Sequence, residues 1–327
     1  MQSPIRKKIL EAFAKGEGKF LSGQELANQT GCSRTAVWKH IEELRKEGYQ
    51  LEAVRKKGYR IIQTPDKVSE SELLIGLETS MLGRNIHYQQ SVDSTQKIAH
   101  ILAQEAVPEG TIVIAEEQTS GRGRMTRKWH SPKYTGVWMS IILRPDLPPH
   151  KAPQFTLISA VAVAQAIGEI AEVDAEIKWP NDLLIKGKKV TGILTELVAE
   201  ADKINSVIIG IGINVNLKKE DIPNDLENIA TSISLESGQT ISRAMLVQRI
   251  LLKLEKYYKV YIDEGFYPIK LLWESYAVSL GQDIIARTIN ETIYGKALGI
   301  TDEGILLVKE EDGKIREIYS ADIQIQS

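Results

Sequence analysis

Four cations stand within seven residues, at Arg122, Arg124, Arg127 and Lys128, interleaved with Gly121 and Gly123. Cations so close repel one another unless an anion lies among them. Arginine carries permanent charge and a planar fork of donors that suits phosphate or carboxylate. Glycine lets a backbone fold close against a ligand and present its N–H groups. The run 110–115 just before reads as a buried strand, and Trp129 just after can pack on a ring. A solvated basic loop has the same composition; the strand and the tryptophan favour a loop that grips an anionic ligand.

A second stretch, Lys178-Trp179-Pro180-Asn181-Asp182, leads into Leu183–Ile185, a Lys-Gly-Lys turn at 186–188, and Lys189. This spacing predicts a hairpin with Lys189 on the returning strand. Pro180 and Asn181 suit a turn, so Asp182 is either a turn cap or a site carboxylate. Further back, Asp93-Ser94-Thr95-Gln96 opens an amphipathic helix with Ile98 and Leu102 facing inward. A Ser/Thr pair at a helix start is ordinarily a cap.

Elements must hold these residues. The pattern predicts a helix over 69–80, strands over 85–92 and 136–143, a buried helix over 152–171 and a strand over 207–216 with Gly210 and Gly212 on one face. Glycine inside a strand marks close approach of a ligand or another backbone. A dinucleotide fingerprint does not fit, because the third glycine is missing and no helix follows at once. Residues 217–232 form a long polar loop of the kind that often serves as a lid. A long helix over 243–262 follows.

At the amino terminus, a helix over 4–14 precedes Ser22-Gly23-Gln24-Glu25, a capping-box pattern. Gly31 ends that second helix. Ser33 caps a third, 34–46, whose Val37, Ile41 and Leu44 share one face. Two helices joined by a glycine turn make a helix-turn-helix. Ser33, Arg34, Thr35, Trp38 and Lys39 lie at the front of the second of them, where base edges and phosphates are met. A hairpin over 49–62 then carries Arg55, Lys56 and Lys57 at its tip, a wing suited to a phosphate backbone. Residues 1–65 hold 13 Lys/Arg against 7 Asp/Glu, while the rest holds 28 against 36, so this end alone is charged to meet a polyanion.

The Gly-Arg-Gly-Arg-x-x-Arg-Lys-Trp loop and Lys-Trp-Pro-Asn-Asp, in this order, resemble the biotin–protein ligases, in the form that also represses biotin genes. The resemblance runs the length of the chain and favours biotin over the related lipoate ligases. It implies an α/β multidomain fold: a winged helix-turn-helix over 1–64, a central α+β ligase domain with a mixed sheet over 65–275, and an SH3-like β-barrel over 276–327. It implies Ser94, Thr95, Gln96 and Gln118 at the biotin ureido group. Arg122, Gly123, Arg124, Trp129, Lys189, Gly192 and Asn214 then line the adenylate, with Lys189, Arg122, Arg124 and Asp182 catalytic. Asp182 either assists a metal or accepts a proton from the attacking lysine. The substrates implied are ATP and biotin, with Mg²⁺ accompanying ATP and no metal ligands placed. The partners implied are a biotin carboxyl carrier protein, operator DNA and a second copy of the chain in a ligand-promoted homodimer.

At 327 residues with mean hydropathy −0.18, the chain suits two or three domains with ordinary cores. A single cysteine, Cys32, excludes an intrachain disulfide. Neither a signal peptide nor a membrane span is expected, since the apolar run 152–171 is broken by Gln154, Gln165 and Glu169. These features imply a cytoplasmic protein. The sequence assigns the carboxy-terminal strands no chemistry, and the bland alternative for them is a brace on the central domain.

Overall fold

The computed structural model describes residues 4–16, 18–200 and 203–326. Contacts divide the chain into two compact units, Met1–Glu78 and Thr79–Ser327.

The first unit contains α1 (Pro4–Lys15), α2 (Gly23–Thr30), α3 (Arg34–Lys46), β1 (Gln50–Val54), β2 (Gly58–Gln63) and α4 (Glu70–Leu74). The caps form as the sequence predicts. Ser22 and Glu25 make a reciprocal capping box, Gly31 closes α2 in the left-handed conformation, and the Ser33 hydroxyl accepts the Ala36 N–H. Val37, Ile41 and Leu44 are buried against Ile9, Leu10 and Leu26. The wing is pinned to the start of α2 by reciprocal backbone bonds between Leu21 and Tyr59, at 2.9 and 2.8 Å. Gly58, at φ +111°, is required there, because a β-carbon would fall 2.0 Å from the Leu21 carbonyl oxygen. The helix predicted over 69–80 is shorter: α4 ends at Leu74, and Gly76 turns left-handed at φ +80°. Segment 65–74 is part of this unit. The Tyr49 and Ser69 hydroxyls donate to the buried Glu72 carboxyl, whose burial raises its pKa above the usual 4.5.

The second unit contains β3 (Ile86–Gln89), α5 (Thr95–Gln104), β4 (Ile112–Ala115), β5 (Gly136–Leu143), α6 (Ala152–Ala171), β6 (Glu176–Lys178), β7 (Asp182–Ile185), β8 (Lys188–Glu200) and β9 (Lys203–Asn214). It continues with α7 (Ile233–Ser237), α8 (Arg243–Glu264) and α9 (Tyr267–Tyr276). The strands form one seven-stranded mixed sheet in the order β3-β4-β5-β9-β8-β7-β6. Only β3 and β4 run parallel. The strand predicted over 85–92 is confined to β3. In α5 the buried apolar residues are Ala99 and Ala103, while Ile98 and Leu102 are half-buried: small side chains let the helix settle on Val113, Ile142 and Ile208. Helix α6 packs with α8 and α9, and 72% of its apolar window is buried inside the protein, as in a core helix rather than a span. The strands β10 (Asp283–Arg287), β11 (Thr292–Ile300), β12 (Leu306–Lys309), β13 (Ile315–Ile318) and β14 (Asp322–Ile325) form an antiparallel sheet in the order β13-β12-β11-β10-β14. Neither β14 nor α9 is marked by the sequence pattern.

Where this unit begins, the Glu255 carboxylate of α8 accepts the backbone N–H groups of Ser80, Met81 and Leu82 at 2.8, 2.8 and 2.9 Å, and the Ser80 hydroxyl at 2.6 Å. Burial alone would raise its pKa, but the bonds from Ser80 and Leu82 and from Lys259 outweigh it and bring it to about 2. A carboxyl depressed in the folded state adds stability above its unfolded value of 4.5, and that stability is lost as pH falls towards 2. Glu255→Gln should therefore cost on the order of 2–3 kcal/mol at pH 7 and progressively less below pH 4.5. Urea titrations at pH 7 and pH 3 check this; an equal loss at both pH values would refute the carboxylate's role.

Candidate active site

The site lies on the face of the sheet that carries α5. In β8 and β9, Gly192 and Gly212 sit side by side, with Trp138 of β5 beyond Gly212 and Asp182 of β7 beyond Gly192. Trp129 lies directly over this pair. A β-carbon on Gly212 would stand 2.4 Å from the indole Nε1, and one on Gly192 3.0 Å from Cζ3. The strand glycines thus admit the protein's own indole. Gly210 likewise admits the Gln96 side chain, whose Oε1 would lie 2.7 Å from an added β-carbon.

Lys189 reaches this face because of a bulge. Asp182 pairs with Gly192 and Leu183 with Thr191, but Leu184 pairs with Lys189, leaving Val190 extra on β8. Alternation without the bulge would put Lys189 on the opposite face from Gly192, three residues on. With the bulge, Lys189 Nζ lies 2.7 Å from Asp182 Oδ1 and 5.2 Å from the centre of the Trp129 ring. Its backbone turns to the 217–232 segment, giving its N–H to Ile229 O at 2.8 Å and accepting from Thr231 N at 2.9 Å. Asn214 supports the same segment by donating to Thr231 O at 3.0 Å.

The cationic loop is folded back on itself: Arg122 and Lys128 pair as a backbone bridge, and Trp129 N–H donates to Gly121 O at 2.9 Å. Met125 and Thr126 both adopt positive φ, at 53° and 62°, uncommon for any residue but glycine and most of all for the β-branched Thr126. Arg124 donates to Asn181 Oδ1 at 2.9 Å and to Ser320 Oγ at 2.7 Å, and Arg127 pairs with Asp322. Burial pushes the Arg124 guanidinium down from its usual range, while Asp322 and Asp182 push it back up. Arg124, Asp182, Lys189, Trp129 and Gly192 are therefore one cluster. The Arg122 guanidinium is exposed at the loop stem and joins no ion pair among the described residues.

A chain of buried polar side chains flanks this cluster. Ser94 is the N-cap residue of α5 but makes no capping bond; its Oγ is buried and meets no hydrogen-bond partner among the described residues. Thr95, Gln118, Ser131, Ser140 and Gln96 are linked by hydrogen bonds. Both amide ends of Gln96 and of Gln118 are taken by protein groups. Asn181, Ser131, Ser140, Arg127, Ser320 and Asp322 are site neighbours that sequence reasoning did not assign. Asn181 and Arg127 stood within the recognised motifs; nothing local marked the others. Ser320 and Asp322 also place the carboxy-terminal strands at the site rather than in a bracing role alone.

In the first unit, Ser33, Arg34, Thr35, Trp38, Lys39, Arg55, Lys56 and Lys57 are all exposed, on the front of α3 and the tip of the wing. Among the described residues no group of three or more His, Cys, Asp or Glu is placed to hold a metal ion.

Comparison with known proteins agrees with these features. Residues 88–214 match the biotin/lipoate A/B protein ligase family, residues 5–60 an HTH domain, and residues 279–325 the biotin protein ligase C terminal domain. The chain is 57% identical over 325 residues to the bifunctional ligase/repressor BirA of Bacillus subtilis, covering 99% of this chain and 100% of the relative. Identity to the Escherichia coli bifunctional ligase/repressor BirA is 28% over 320 residues, covering 98% and 97%. The biotin protein ligase from Aquifex aeolicus in complex with biotin and ATP superposes with a TM-score of 0.64 at 32% identity, covering 74% of this chain and 99% of that one.

Proposed function

The chain belongs to the bifunctional ligase/repressor family of biotin protein ligases, and from that premise we propose how its residues divide the work. The protein is an ATP-dependent ligase that attaches biotin to protein, and a DNA-binding repressor. In our reading it joins biotin to AMP, releases pyrophosphate, and passes biotin to a lysine of a biotin carboxyl carrier protein in the cytoplasm. What supports the residue assignment is the convergence of Arg124, Lys189, Asp182 and Trp129 on one glycine-floored face of the sheet.

A carboxylate is a poor electrophile, and its attack on the ATP α-phosphate gathers negative charge. Lys189 neutralises the two anions as they meet, and Asp182 holds its ammonium in place. Arg124, steadied by Asn181 and Ser320, takes phosphate oxygens, and Arg122 at the loop stem can join it. Ser94 and Thr95 face the ureido end. One protein carboxylate with phosphate oxygens is an ordinary donor set for Mg²⁺, so Asp182 is the residue that would help hold it, and the ion would shield the departing pyrophosphate. The acceptor lysine then attacks the acyl carbon of the mixed anhydride and AMP leaves. Groups placed where charge develops supply the main catalytic term.

Arg124→Ala should release the adenylate about 10-fold faster or more, the loss of a charged hydrogen bond. A filter-binding chase with labelled adenylate measures it, and an unchanged off-rate would count against the assignment. For the ligase reading itself, purified protein, biotin, ATP and an acceptor domain should yield biotinylated acceptor; no labelling by protein shown to be folded defeats it.

For the repressor, adenylate binding orders the 122–129 and 217–231 segments and favours a homodimer whose two winged helices meet a two-fold operator. Gel shifts on biotin-gene operator DNA should show binding that strengthens about 10-fold or more when biotin and ATP are added, a coupling of ordinary size. Binding indifferent to ligand would remove the switch.

A further inference from the structure

We propose that residues 65–75 form a strap that takes up the chain between the DNA-binding unit and the ligase unit, that the buried Glu72 carboxyl latches it, and that this latch sets which spacing of operator half-sites the protein accepts. The inference rests on the repressor reading, two copies on a two-fold operator, and deepens it.

Pro65, Asp66 and Lys67 have the composition of slack linker. The structure makes them part of the winged helix instead. Pro65 lies beside Gly48, where a β-carbon would stand 3.4 Å from the proline's own. Lys67 Nζ donates to Glu47 O at 3.2 Å, and Lys7 pairs with Glu70 across 3.4 Å. Val68 and Leu73 are fully buried, α4 packs on α1, and Ile75 lies against the core of this unit. The half-exposed Lys7–Glu70 pair contributes little. Glu72 is different. Its carboxyl accepts the Tyr49 hydroxyl on Oε1 and the Ser69 hydroxyl on Oε2, and the residue is 5% exposed. Tyr49 belongs to the core, at the join of α3 and β1. Ser69, the residue before α4, gives its hydroxyl to Glu72 rather than to a helix cap. Burial and the carboxylate beside it push the Tyr49 hydroxyl up, so it keeps the proton it donates. One carboxyl thus ties the strap to the root of the wing. Without it two buried hydroxyls lose their acceptor, which favours an opened strap where water can reach them.

The consequence is a matter of chain length. Ile75 is anchored in the first unit, and the Ser80 N–H is held by Glu255 of the second at 2.8 Å. Residues 76–79 alone lie between those anchors. At about 3.4 Å per residue they span at most about 14 Å, whereas an unlatched 65–79 spans up to about 50 Å. On a duplex, each inserted base pair carries a half-site about 3.4 Å along the axis and about 35° round it. Three inserted pairs move it about 10 Å and turn it through about 100°. Two short tethers cannot follow that turn while the ligase units of the two copies stay joined, and the second winged helix loses its half-site. Two unlatched tethers can follow it. Glu72, Tyr49 and Ser69 are buried and touch no DNA; they are positioning residues that act through the length of chain they leave.

The test uses the full chain with biotin and ATP. The probe is the duplex that this protein selects from a random-sequence pool, remade with three base pairs added between its half-sites. The wild-type protein should bind the lengthened duplex about 100-fold more weakly than the parent, the scale of avidity lost when two sites cannot be engaged together. Glu72→Ala should reduce that ratio to about 3-fold, and should bind the parent duplex about 7-fold more weakly, because effective concentration falls as the tether lengthens. Hydrogen exchange on this variant should show the strap amides of Leu73 and Ile75 exchanging about 100-fold faster while α3 stays protected. A second variant keeps the latch intact: a Gly/Ser insertion after Gly76, long enough to match the unlatched stretch, should change the ratio in the same way. Biotin transfer to an acceptor domain should be unchanged in both. A winged helix merely damaged by substitution would weaken on both duplexes alike and keep the wild-type ratio. The proposal is overturned if either variant keeps that ratio, or if the wild-type protein binds both duplexes equally. A wild-type protein that selects no DNA brings down the repressor reading as well.

Discussion

Lys189→Ala should lose adenylate synthesis by about 100-fold to 1,000-fold, the range for removing one preorganised charge-stabilising group, while the protein stays folded. Two features make the separation clean. The Lys189 side chain is 34% exposed, so little packing depends on it. The bonds that tie this position to the 229–231 segment come from its backbone and survive the substitution. What disappears is the ammonium that the bulge at Val190 brings to Asp182 and Trp129. Biotin- and ATP-dependent pyrophosphate release is the assay, with circular dichroism and thermal melting beside it. A variant releasing pyrophosphate at near-normal rate would show that the lysine is misassigned.

The second large effect is on stability. Arg243, the first residue of α8, pairs with Glu116 at the end of β4 across 2.8 Å, and both side chains are fully buried. Arg243 also donates to the Gly136 carbonyl oxygen at 3.2 Å. Arg243→Met should cost about 3–5 kcal/mol, because it leaves the buried carboxylate without its compensating guanidinium. In a unit of this size that corresponds to a Tm lower by on the order of 10 °C. The loss also reaches the site, since Glu116 fixes the chain where it leaves β4 for the Gly-Arg loop, and Tyr134 N donates to Glu116 O at 3.2 Å. Adding Glu116→Leu to Arg243→Met should recover part of the loss, since no charge is then stranded. A single variant melting within about 2 °C of the parent would show that the pair contributes little.

The sequence by itself determined what can be written in local rules. The capping box at Ser22, the left-handed stop at Gly31, the shared face of Val37, Ile41 and Leu44, the hairpin around Lys186-Gly187-Lys188 and the fully buried β5 each follow from residues within a few positions of one another. The chemistry of the Gly-Arg loop was legible for the same reason, since its cations and glycines are contiguous.

Tertiary structure decided the rest. Face is a parity, and one extra residue reverses it, so the bulge that delivers Lys189 to Asp182 appears only once β7 and β8 are paired. Arg124 and Ser320 meet across 196 positions of chain, and no periodicity records a meeting of that kind. Which groups take up the amide ends of Gln96 and Gln118 depends on the carbonyls and hydroxyls that the folded sheet and loop bring to them. Composition tells which groups can donate or accept; only the packed interior commits each hydrogen to a direction.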